Sequence, residues 1–259
     1  MITEQENFLK FANGFADLSG EILTKNFLKH RLTNSKSDGS FVTEIDNLIE
    51  EKFIKQVKKK YPSHGIIGEE FGEYNVGAKY VWVIDPLDGT HNFISGKPLF
   101  GTLICLLIDG IPSIGVLDVP KLSERWFGGR KLGVKKNEDL CLLKKKNKNL
   151  NQSIVSSTTL MMFDDEHFAR IRRIYNKSQF PIFGTDCYAY GLLLSGQIDL
   201  IIEANMKPWD YLAQVSLINE IGGIISDWSG NKLNLYSNGQ IIASTSRKCY
   251  EEALEILST

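Results

Sequence analysis

The sequence predicts an α/β fold in which helices and strands form a mixed α+β arrangement. Three observations support this class. Helical and strand patterns alternate along the second half of the chain, the continuous apolar run Tyr80–Ile84 is typical of a strand buried on both faces, and Asp109-Gly110 between two apolar stretches is a strong hairpin signal. The 259 residues amount to about 1.7 domains of ~150 residues, so we expect one large domain or two fused halves.

Two amphipathic helices are predicted near the N-terminus. The first begins after Thr3, where Glu6 completes a capping box, and its apolar stripe is Phe8, Phe11, Ala12 and Phe15. The second begins near residues 43–46 and ends before Tyr61-Pro62. Its residues expected to face the core are Ile45, Leu48, Ile49, Phe53 and Val57. The lysines between residues 52 and 60 are expected on its solvated side, with a nucleic-acid patch as the alternative.

The middle of the chain is predicted to be rich in β-structure. The strand over residues 80–84 is expected to stop at Asp85-Pro86 in a loop, and strand ends of this kind are where α/β proteins bind ligands. The runs 99–108 and 111–119 should form a hairpin. Between Lys131 and Asn149 apolar residues become sparse, so we interpret this segment as a surface connection between two halves, 1–148 and 149–259.

The second half is predicted to alternate between strands and helices. The predicted strands cover residues 154–157, 180–183, 198–203 and 223–227, and the predicted helices lie near 164–175, 188–194, 210–221 and the C-terminus. Some neighbouring strands in this pattern would be antiparallel, so a mixed sheet is expected.

The near-zero net charge argues against a general binder of nucleic acid or membrane surfaces. Thirty Lys and Arg stand against 31 Asp and Glu, a formal charge of −1, which favours a small-molecule partner. The N-terminal residues lack the pattern of a signal peptide, and no apolar run reaches the ~18 residues of a membrane helix. The four cysteines show no metal-ligand spacing, so we expect reduced thiols in a cytoplasm, with a disulfide or a reactive thiol as alternatives.

The segment Asp85-Pro86-Leu87-Asp88-Gly89-Thr90 carries most of the chemical information. Two carboxylates three residues apart in a Pro-Gly turn suit a cation, and hard oxygen ligands favour Mg²⁺. The Leu87 carbonyl is expected to reach the ion as well, because a turn leaves it unpaired. For either aspartate alone, a turn that hydrogen-bonds its own backbone is the alternative.

Two further acidic segments fit the same chemistry. Glu69 follows the apolar pair Ile66-Ile67, and Asp210 stands at the start of a helix, where a plain N-cap is the alternative. Burying several like charges without cations would cost several kcal/mol. Gly89 and Thr90 precede a short predicted helix whose free N–H groups suit a phosphate. Together these features predict metal-dependent phosphoryl transfer to water.

These motifs resemble those of the inositol monophosphatase family of Mg²⁺-dependent phosphatases. The resemblance extends over nearly the whole chain, and it rests on Gly68-Glu69-Glu70, residues 82–90, Trp209-Asp210 with Gly222-Gly223, and Lys36-Ser37 with residues 42–46. It implies a layered αβαβα sandwich, two or three Mg²⁺ ions, and one active site between the two halves.

The resemblance also implies roles for individual residues. The metal ligands would be Glu69, Asp85, Asp88, Asp210 and the Leu87 carbonyl. Asp46 and Thr90 would orient the attacking water together with Glu69. Gly89 and Thr90 would bind the phosphate.

Within the family, further segments resemble the histidinol-phosphate phosphatase branch; they are residues 98–103, 124–127, 184–191, 203–210 and 227–230. Asp186 and Glu203 would add acidity near the pocket, which suits a substrate with an ammonium and an imidazole better than a neutral polyol. As alternatives, Asp186 caps the following helix and Glu203 only ends a strand.

Other functions stay open at this point. Hydrolysis of inositol 1-phosphate or of a 3′(2′),5′-bisphosphate nucleotide is the alternative within the family, and a non-catalytic regulator that binds metal or phosphate is a remote one. A homodimer is expected by analogy with relatives.

Overall fold

The computed structural model describes residues 3–29, 33–35, 41–142 and 147–258, with the backbone alone for 33–35 and 41–43. Lys36 and Ser37, which contribute to the resemblance, lie outside the described residues, as does part of the lysine-rich stretch from Lys135 to Lys148.

The elements before residue 142 include three helices and ten strands among the described residues. In chain order they are α1 (Glu4–Asn26), β1 (Thr33–Ser35), β2 (Phe41–Thr43), α2 (Glu44–Lys60), β3 (Gly65–Gly68), β4 (Gly72–Tyr74), β5 (Tyr80–Asp88), α3 (Thr90–Ser95), β6 (Gly101–Ile108), β7 (Ile111–Val119), β8 (Glu124–Gly129), β9 (Gly133–Lys136) and β10 (Asp139–Leu140). The elements after residue 147 are β11 (Ile154–Ser157), α4 (Asp165–Lys177), β12 (Phe180–Phe183), α5 (Tyr188–Leu194), β13 (Leu200–Glu203), α6 (Pro208–Glu220), β14 (Ile224–Ser226), β15 (Ile241–Ser244) and α7 (Arg247–Ser258).

Two mixed sheets form the framework. The larger has the strand order β10-β9-β8-β7-β6-β5-β3-β4, and within it only β3 and β5 run parallel. The smaller has the order β12-β11-β13-β15-β14, with β12, β11 and β13 parallel and β15 antiparallel to both its neighbours. The short strands β1 and β2 pair separately.

Side chains alternate across β5, so the strand contributes to two cores. Trp82 and Ile84 point to the core shared with α1 and α2, whereas Val81 and Val83 point to the core that α5 and α6 form between the two sheets. On the far side of the smaller sheet, α4 and α7 cover a third core. The order helix, sheet, helix, sheet, helix confirms the predicted αβαβα layers.

Trp82 lies at the centre of the first core. It is fully buried, and the rings of Phe8, Phe11 and Phe53 surround it at centroid distances of 5.2–6.2 Å. Its indole N–H donates to Nδ1 of His64 at 3.1 Å, so the buried donor is satisfied. His64 therefore has a structural role as the acceptor for the buried Trp82.

Several local predictions are confirmed. The α1 capping box is present, because Glu6 N donates to Thr3 Oγ1 at 3.2 Å and Thr3 N donates to Glu6 Oε2 at 2.6 Å. The hairpin around Asp109-Gly110 joins β6 to β7, with both turn residues at positive φ. In the second half, β12 and α5 have the predicted bounds.

The expected core face of α2 is wrong at one position. Leu48 is 39% exposed, whereas Asp46 and Glu50 are buried beside Ile49 and Phe53. The buried face follows the spacing i, i+3, i+4, i+7 counted from Asp46, and Leu48 falls outside that stripe. Two acidic residues therefore occupy places that an apolar pattern would not assign to them.

The surface connection predicted for residues 131–149 contains two strands that were not predicted. Gly133–Lys136 forms β9 and Asp139–Leu140 forms β10, which extend the larger sheet to its edge. The strands β8 and β15 were not predicted either. The strand β15, Ile241–Ser244, is fully buried between β13 and β14.

No helix within the described ranges has the length and apolar content needed to cross a lipid bilayer. The four cysteines are free thiols, and Cys105, Cys187 and Cys249 are buried.

The packing of α5 on the larger sheet leads to a stability prediction. A Cβ at Gly191 would lie 2.5 Å from the ring of the buried Trp126, whereas a Cβ at the exposed Gly14 in α1 would meet nothing within 4 Å. Alanine is the better helix former, so Gly14→Ala should raise the free energy of unfolding by up to about 1 kcal/mol. Gly191→Ala should lower it by about 1–3 kcal/mol through overpacking.

Both values are measured by urea unfolding of the two variants against the parent chain. A stabilising effect of Gly191→Ala would contradict the close contact with Trp126.

Candidate active site

A cavity of about 180 Å³ lies where the end of β5 meets segments of the second half. Its lining residues from the first half are Glu69, Asp85, Leu87, Asp88, Gly89, Thr90 and His91. Those from the second half are Thr158, Met162, Asp186, Cys187, Tyr190, Glu203, Met206 and Asp210. Nine of the ten residues singled out from the sequence are in this set. The tenth, Asp46, is buried in the first turn of α2 and is not among the lining residues.

A larger groove of about 1310 Å³ lies between α1 and β8, away from these carboxylates. Its central charge, Arg125, already pairs with Asp17 at 2.8 Å and Asp118 at 2.7 Å. It contains none of the residues predicted to carry chemistry, so the smaller cavity is the candidate site.

A β-bulge sets the geometry of the D-P-L-D motif. The strand does not stop at Ile84 as expected, because β5 continues to pair with β6 up to Asp88. Asp85 lies opposite Leu103 and Asp88 opposite Gly101, so two residues of β5 oppose one of β6. Without the extra residue, positions three apart would face opposite sides of the sheet.

The bulge has a visible effect on side-chain direction. Leu87 packs into the core with α1 and α2, while both flanking aspartates line the cavity on the other side. Pro86 fits a bulge because it has no N–H to contribute to the ladder. Its carbonyl accepts a hydrogen bond from Thr102 Oγ1 at 3.0 Å.

Hydrogen bonds from two backbone amides, one inside the motif and one outside it, fix the two aspartates. Asp85 Oδ1 accepts from Leu87 N at 2.9 Å, which is the local turn bond considered as the alternative for this residue. Asp88 Oδ1 accepts from Cys187 N at 2.8 Å, a contact between the two halves. The expectation that the Leu87 carbonyl is unpaired is wrong, because Thr90 Oγ1 donates to it at 3.0 Å. A carbonyl oxygen has a second lone pair, so it still has capacity for a cation.

Asp210 reaches the same place from the start of α6. Pro208 is the first residue of the helix and Lys207 is the N-cap, so the alternative that Asp210 is a plain N-cap is wrong. Asp210 is the third helical residue, and its Oδ2 accepts a hydrogen bond from Lys207 N at 2.7 Å. It also belongs to a cluster, since Asp85, Asp88 and Asp210 each offer an oxygen and these oxygens all lie within 4.8 Å of one another.

The electrostatics of the cluster call for a cation. Burial, followed by repulsion from neighbouring acids, raises the pKa values of Asp85 and Asp210 well above their ordinary range, and burial raises that of Asp88 to about 6. A bound divalent ion would reverse this effect by favouring the charged forms. Three convergent carboxylate oxygens are hard donors, so the donor set fits Mg²⁺.

Two further acids predicted from the sequence, Asp186 and Glu203, line the same cavity. Asp186 lies at a left-handed φ of 45° and accepts a hydrogen bond from Asn92 Nδ2. The alternative that its side chain caps α5 is wrong, since the N-cap is Cys187 and no side-chain cap is made. Glu203 does end β13, as the alternative held, yet it also lines the cavity.

A buried hydrogen-bond network holds Glu203. Its carboxylate accepts from Tyr190 OH at 2.7 Å and from Thr158 Oγ1 at 2.5 Å. Burial raises the pKa of Glu203 to about 7, and burial raises that of Asp186 to about 7 as well. Tyr190 is buried in the core and also lines the cavity. Thr158 was missed, although it directly follows β11, which runs parallel to β13, so the strand-end rule would have found it.

The family model described as the inositol monophosphatase family matches residues 4–259. The chain belongs to the inositol monophosphatase family. The bifunctional phosphatase IMPL2, chloroplastic, of Arabidopsis thaliana is 39% identical over 265 residues, which cover 98% of this chain and 76% of that protein. The histidinol-phosphatase of Chlorobaculum parvum is 29% identical over 237 residues, 91% of this chain and 92% of its own.

The solved structure of an inositol monophosphatase from Zymomonas mobilis superposes with a TM-score of 0.89 at 32% identity, and the match covers 99% of this chain and 100% of that one. Family membership makes the chain a phosphatase of the inositol monophosphatase type, with a phosphorylated small molecule as its substrate. The roles of individual residues in the cavity stay predictions.

The environment of Glu203 in this phosphatase leads to a pH prediction for the metal-free chain. Because its pKa is raised from 4.5 to about 7, the folded chain binds this proton more tightly than the unfolded chain. The corresponding stability is fully present below pH 4.5 and is lost as the pH rises through about 7. The free energy of unfolding of the parent chain should therefore fall between pH 5 and 8. In Glu203→Gln this fall should be smaller by about 1–3 kcal/mol.

The measurement is urea unfolding in EDTA across this pH range. Glu73→Gln, a change at an exposed glutamate of β4, is the control and should leave the parent profile unaltered. Equal profiles for Glu203→Gln and the parent would contradict the prediction.

Proposed function

We propose that this chain is a Mg²⁺-dependent phosphomonoesterase that converts L-histidinol phosphate and water into L-histidinol and phosphate. The observation that carries the proposal is one cavity that holds two sets of acidic residues. Asp85, Asp88 and Asp210 form a cluster of convergent oxygens, and Asp186 and Glu203 line the same cavity outside that cluster. The first set suits cations that bind a phosphate, and the second suits a positively charged substrate body.

In the proposed hydrolysis, the cluster of Asp85, Asp88 and Asp210 binds metal. Asp85, Asp88, Asp210, Glu69 and the Leu87 carbonyl would hold two or three Mg²⁺ ions. When bound, Mg²⁺ lowers the pKa of a coordinated water and neutralises charge on the phosphoryl group.

The chain's own groups position the reactants. Glu69 and Thr90 would orient the attacking water, and Asp46, which does not line the cavity, would act through Thr90. The Thr90 hydroxyl donates to the Leu87 carbonyl, so its oxygen keeps lone pairs that can accept a hydrogen bond from that water. The backbone amides of Gly89 and Thr90 would hold phosphate oxygens. Asp210 would lie nearest the leaving oxygen.

The choice of substrate rests on Asp186 and Glu203, which line the same cavity. L-histidinol phosphate carries an ammonium and an imidazole, and each can supply a charged donor to a buried carboxylate. A neutral polyol would give Asp186 and Glu203 hydrogen bonds but no countercharge, at a larger desolvation cost. The name of the Chlorobaculum parvum relative agrees with this choice.

Inositol 1-phosphate and 3′(2′),5′-bisphosphate nucleotides are the alternative substrates, and the Zymomonas mobilis structure gives weight to the first.

A histidine-biosynthetic role follows from the proposed substrate. A homodimer, a cytoplasmic location and the division at residues 148/149 stay predictions; the four free thiols agree with a reducing compartment. A purely regulatory protein is disfavoured because the cavity retains the full acidic set.

A substrate panel tests the proposal. Phosphate release is measured from L-histidinol phosphate, inositol 1-phosphate and 3′-phosphoadenosine 5′-phosphate, each with Mg²⁺ and with EDTA. We expect kcat/KM to be at least about tenfold higher for L-histidinol phosphate, since a single charged contact is worth about 1.4 kcal/mol or more. Turnover that persists in EDTA would overturn the metal assignment, and a preference for either other ester would overturn the substrate.

Asp186→Asn tests the proposed substrate contact of this carboxylate. Asparagine keeps the shape and tolerates the left-handed φ of 45°, so the backbone should be undisturbed. The variant loses the negative charge, and KM for L-histidinol phosphate should rise about tenfold while the Mg²⁺ concentration for half-maximal activity stays the same. An unaltered KM would remove Asp186 from the substrate site.

A further inference from the structure

Glu50 is a buried carboxylate that the proposed mechanism does not use. It lies on the core face of α2, is fully buried, and is not among the residues that line the cavity. Burial raises its pKa to about 7, and hydrogen bonds from two backbone amides act in the opposite direction. A buried acid of this kind needs partners, and its partners show what it does.

Both oxygens of Glu50 hold one short loop. Oε2 accepts from Glu70 N at 2.8 Å, and Oε1 accepts from Phe71 N at 2.9 Å. Gly68 pairs with Gly72 across β3 and β4, so residues 69–71 form a three-residue connection between two strands. Glu50 thus supplies acceptors to two successive amides of that connection.

The backbone at Gly68 lies very close to the same carboxylate. A Cβ at residue 68 would lie 1.8 Å from Glu50 Oε1 and 2.3 Å from its carboxyl carbon. Only glycine leaves room for the carboxylate at this distance. The absence of a side chain at Gly68 therefore makes room for the carboxylate of Glu50, which lies 18 residues earlier in the sequence.

Glu69 lies between these two restraints. The residue before it makes the close approach, the residue after it donates to Glu50, and the Glu69 side chain lines the cavity. We propose that Glu50 is a positioning residue that fixes the backbone on both sides of Glu69 and thereby aims the Glu69 carboxylate at the metal site. The inference rests on the proposed role of Glu69 as a metal ligand.

The test is Mg²⁺ affinity, measured by isothermal titration calorimetry on the full chain with the metal alone. Glu50→Gln keeps the volume but turns an NH₂ group toward a backbone N–H, so the loop should lose one acceptor. We expect its Kd for Mg²⁺ to rise about tenfold or more, as is usual when a partner of a ligand is altered. Glu51→Gln, the exposed neighbour on the same helix, should bind Mg²⁺ as the parent does.

A second variant guards against a simple loss of folding. Gly68→Ala leaves both glutamates intact but forces the Glu50 carboxylate to move, so it should also weaken Mg²⁺ binding about tenfold or more. Thermal unfolding in EDTA, followed by circular dichroism, shows whether each variant is folded at the titration temperature. Parent-like Mg²⁺ affinity in folded Glu50→Gln or in folded Gly68→Ala would overturn the inference.

A double variant separates positioning from general stabilisation. If Glu50 acts through Glu69, then Glu50→Gln combined with Glu69→Gln should bind Mg²⁺ no more weakly than Glu69→Gln alone. Additive losses would overturn the inference. If Glu69→Gln alone binds Mg²⁺ like the parent, the proposed ligand role of Glu69 fails instead, and the two failures are thus distinguishable.

Discussion

Three carboxylate groups whose oxygens lie within 4.8 Å repel one another, and the protein has to hold them together in a buried place. Three local features hold them in place. A β-bulge turns Asp85 and Asp88 to the same side of the larger sheet, an amide from the second half fixes Asp88, and the first turn of α6 fixes Asp210. The helix layer between the sheets brings these three features to one cavity. Much of the architecture therefore serves to hold three aspartates close together.

The sequence predicted the fold class and most candidate residues because their signals are local. The D-P-L-D-G-T motif, the capping box at Thr3 and the Asp109-Gly110 hairpin are each visible within about six residues. The bulge was not predictable in this way, because it depends on how β5 pairs with a strand that follows it. The same reason explains why Leu48 was placed inward and Glu50 was overlooked: the orientation of α2 is set by the loop and the sheet against which it packs.

Asp186 shows a similar limit. The sequence left a helix cap open as the alternative to a substrate contact, because an acid before a helix is often a cap, and the structure shows its carboxylate in contact with Asn92, 94 residues away in sequence. Thr158 and Tyr190 carry little signal individually, and they gain a role because parallel strands and α5 bring them to Glu203. Long-range partners of this kind decide which acids face the ligand and which only complete a turn.

The elements that carry Asp85 and Asp88 and the elements that carry Asp186 and Glu203 are largely separate. Asp85 and Asp88 belong to a strand of the larger sheet, whereas Asp186 lies in the segment before α5 and Glu203 at the end of a strand in the smaller sheet. On the proposed assignment, a gene duplicate could acquire a different substrate through a few changes at positions such as 186 and 203. The hydrolytic centre would be inherited intact, so new specificities are accessible by short mutational paths.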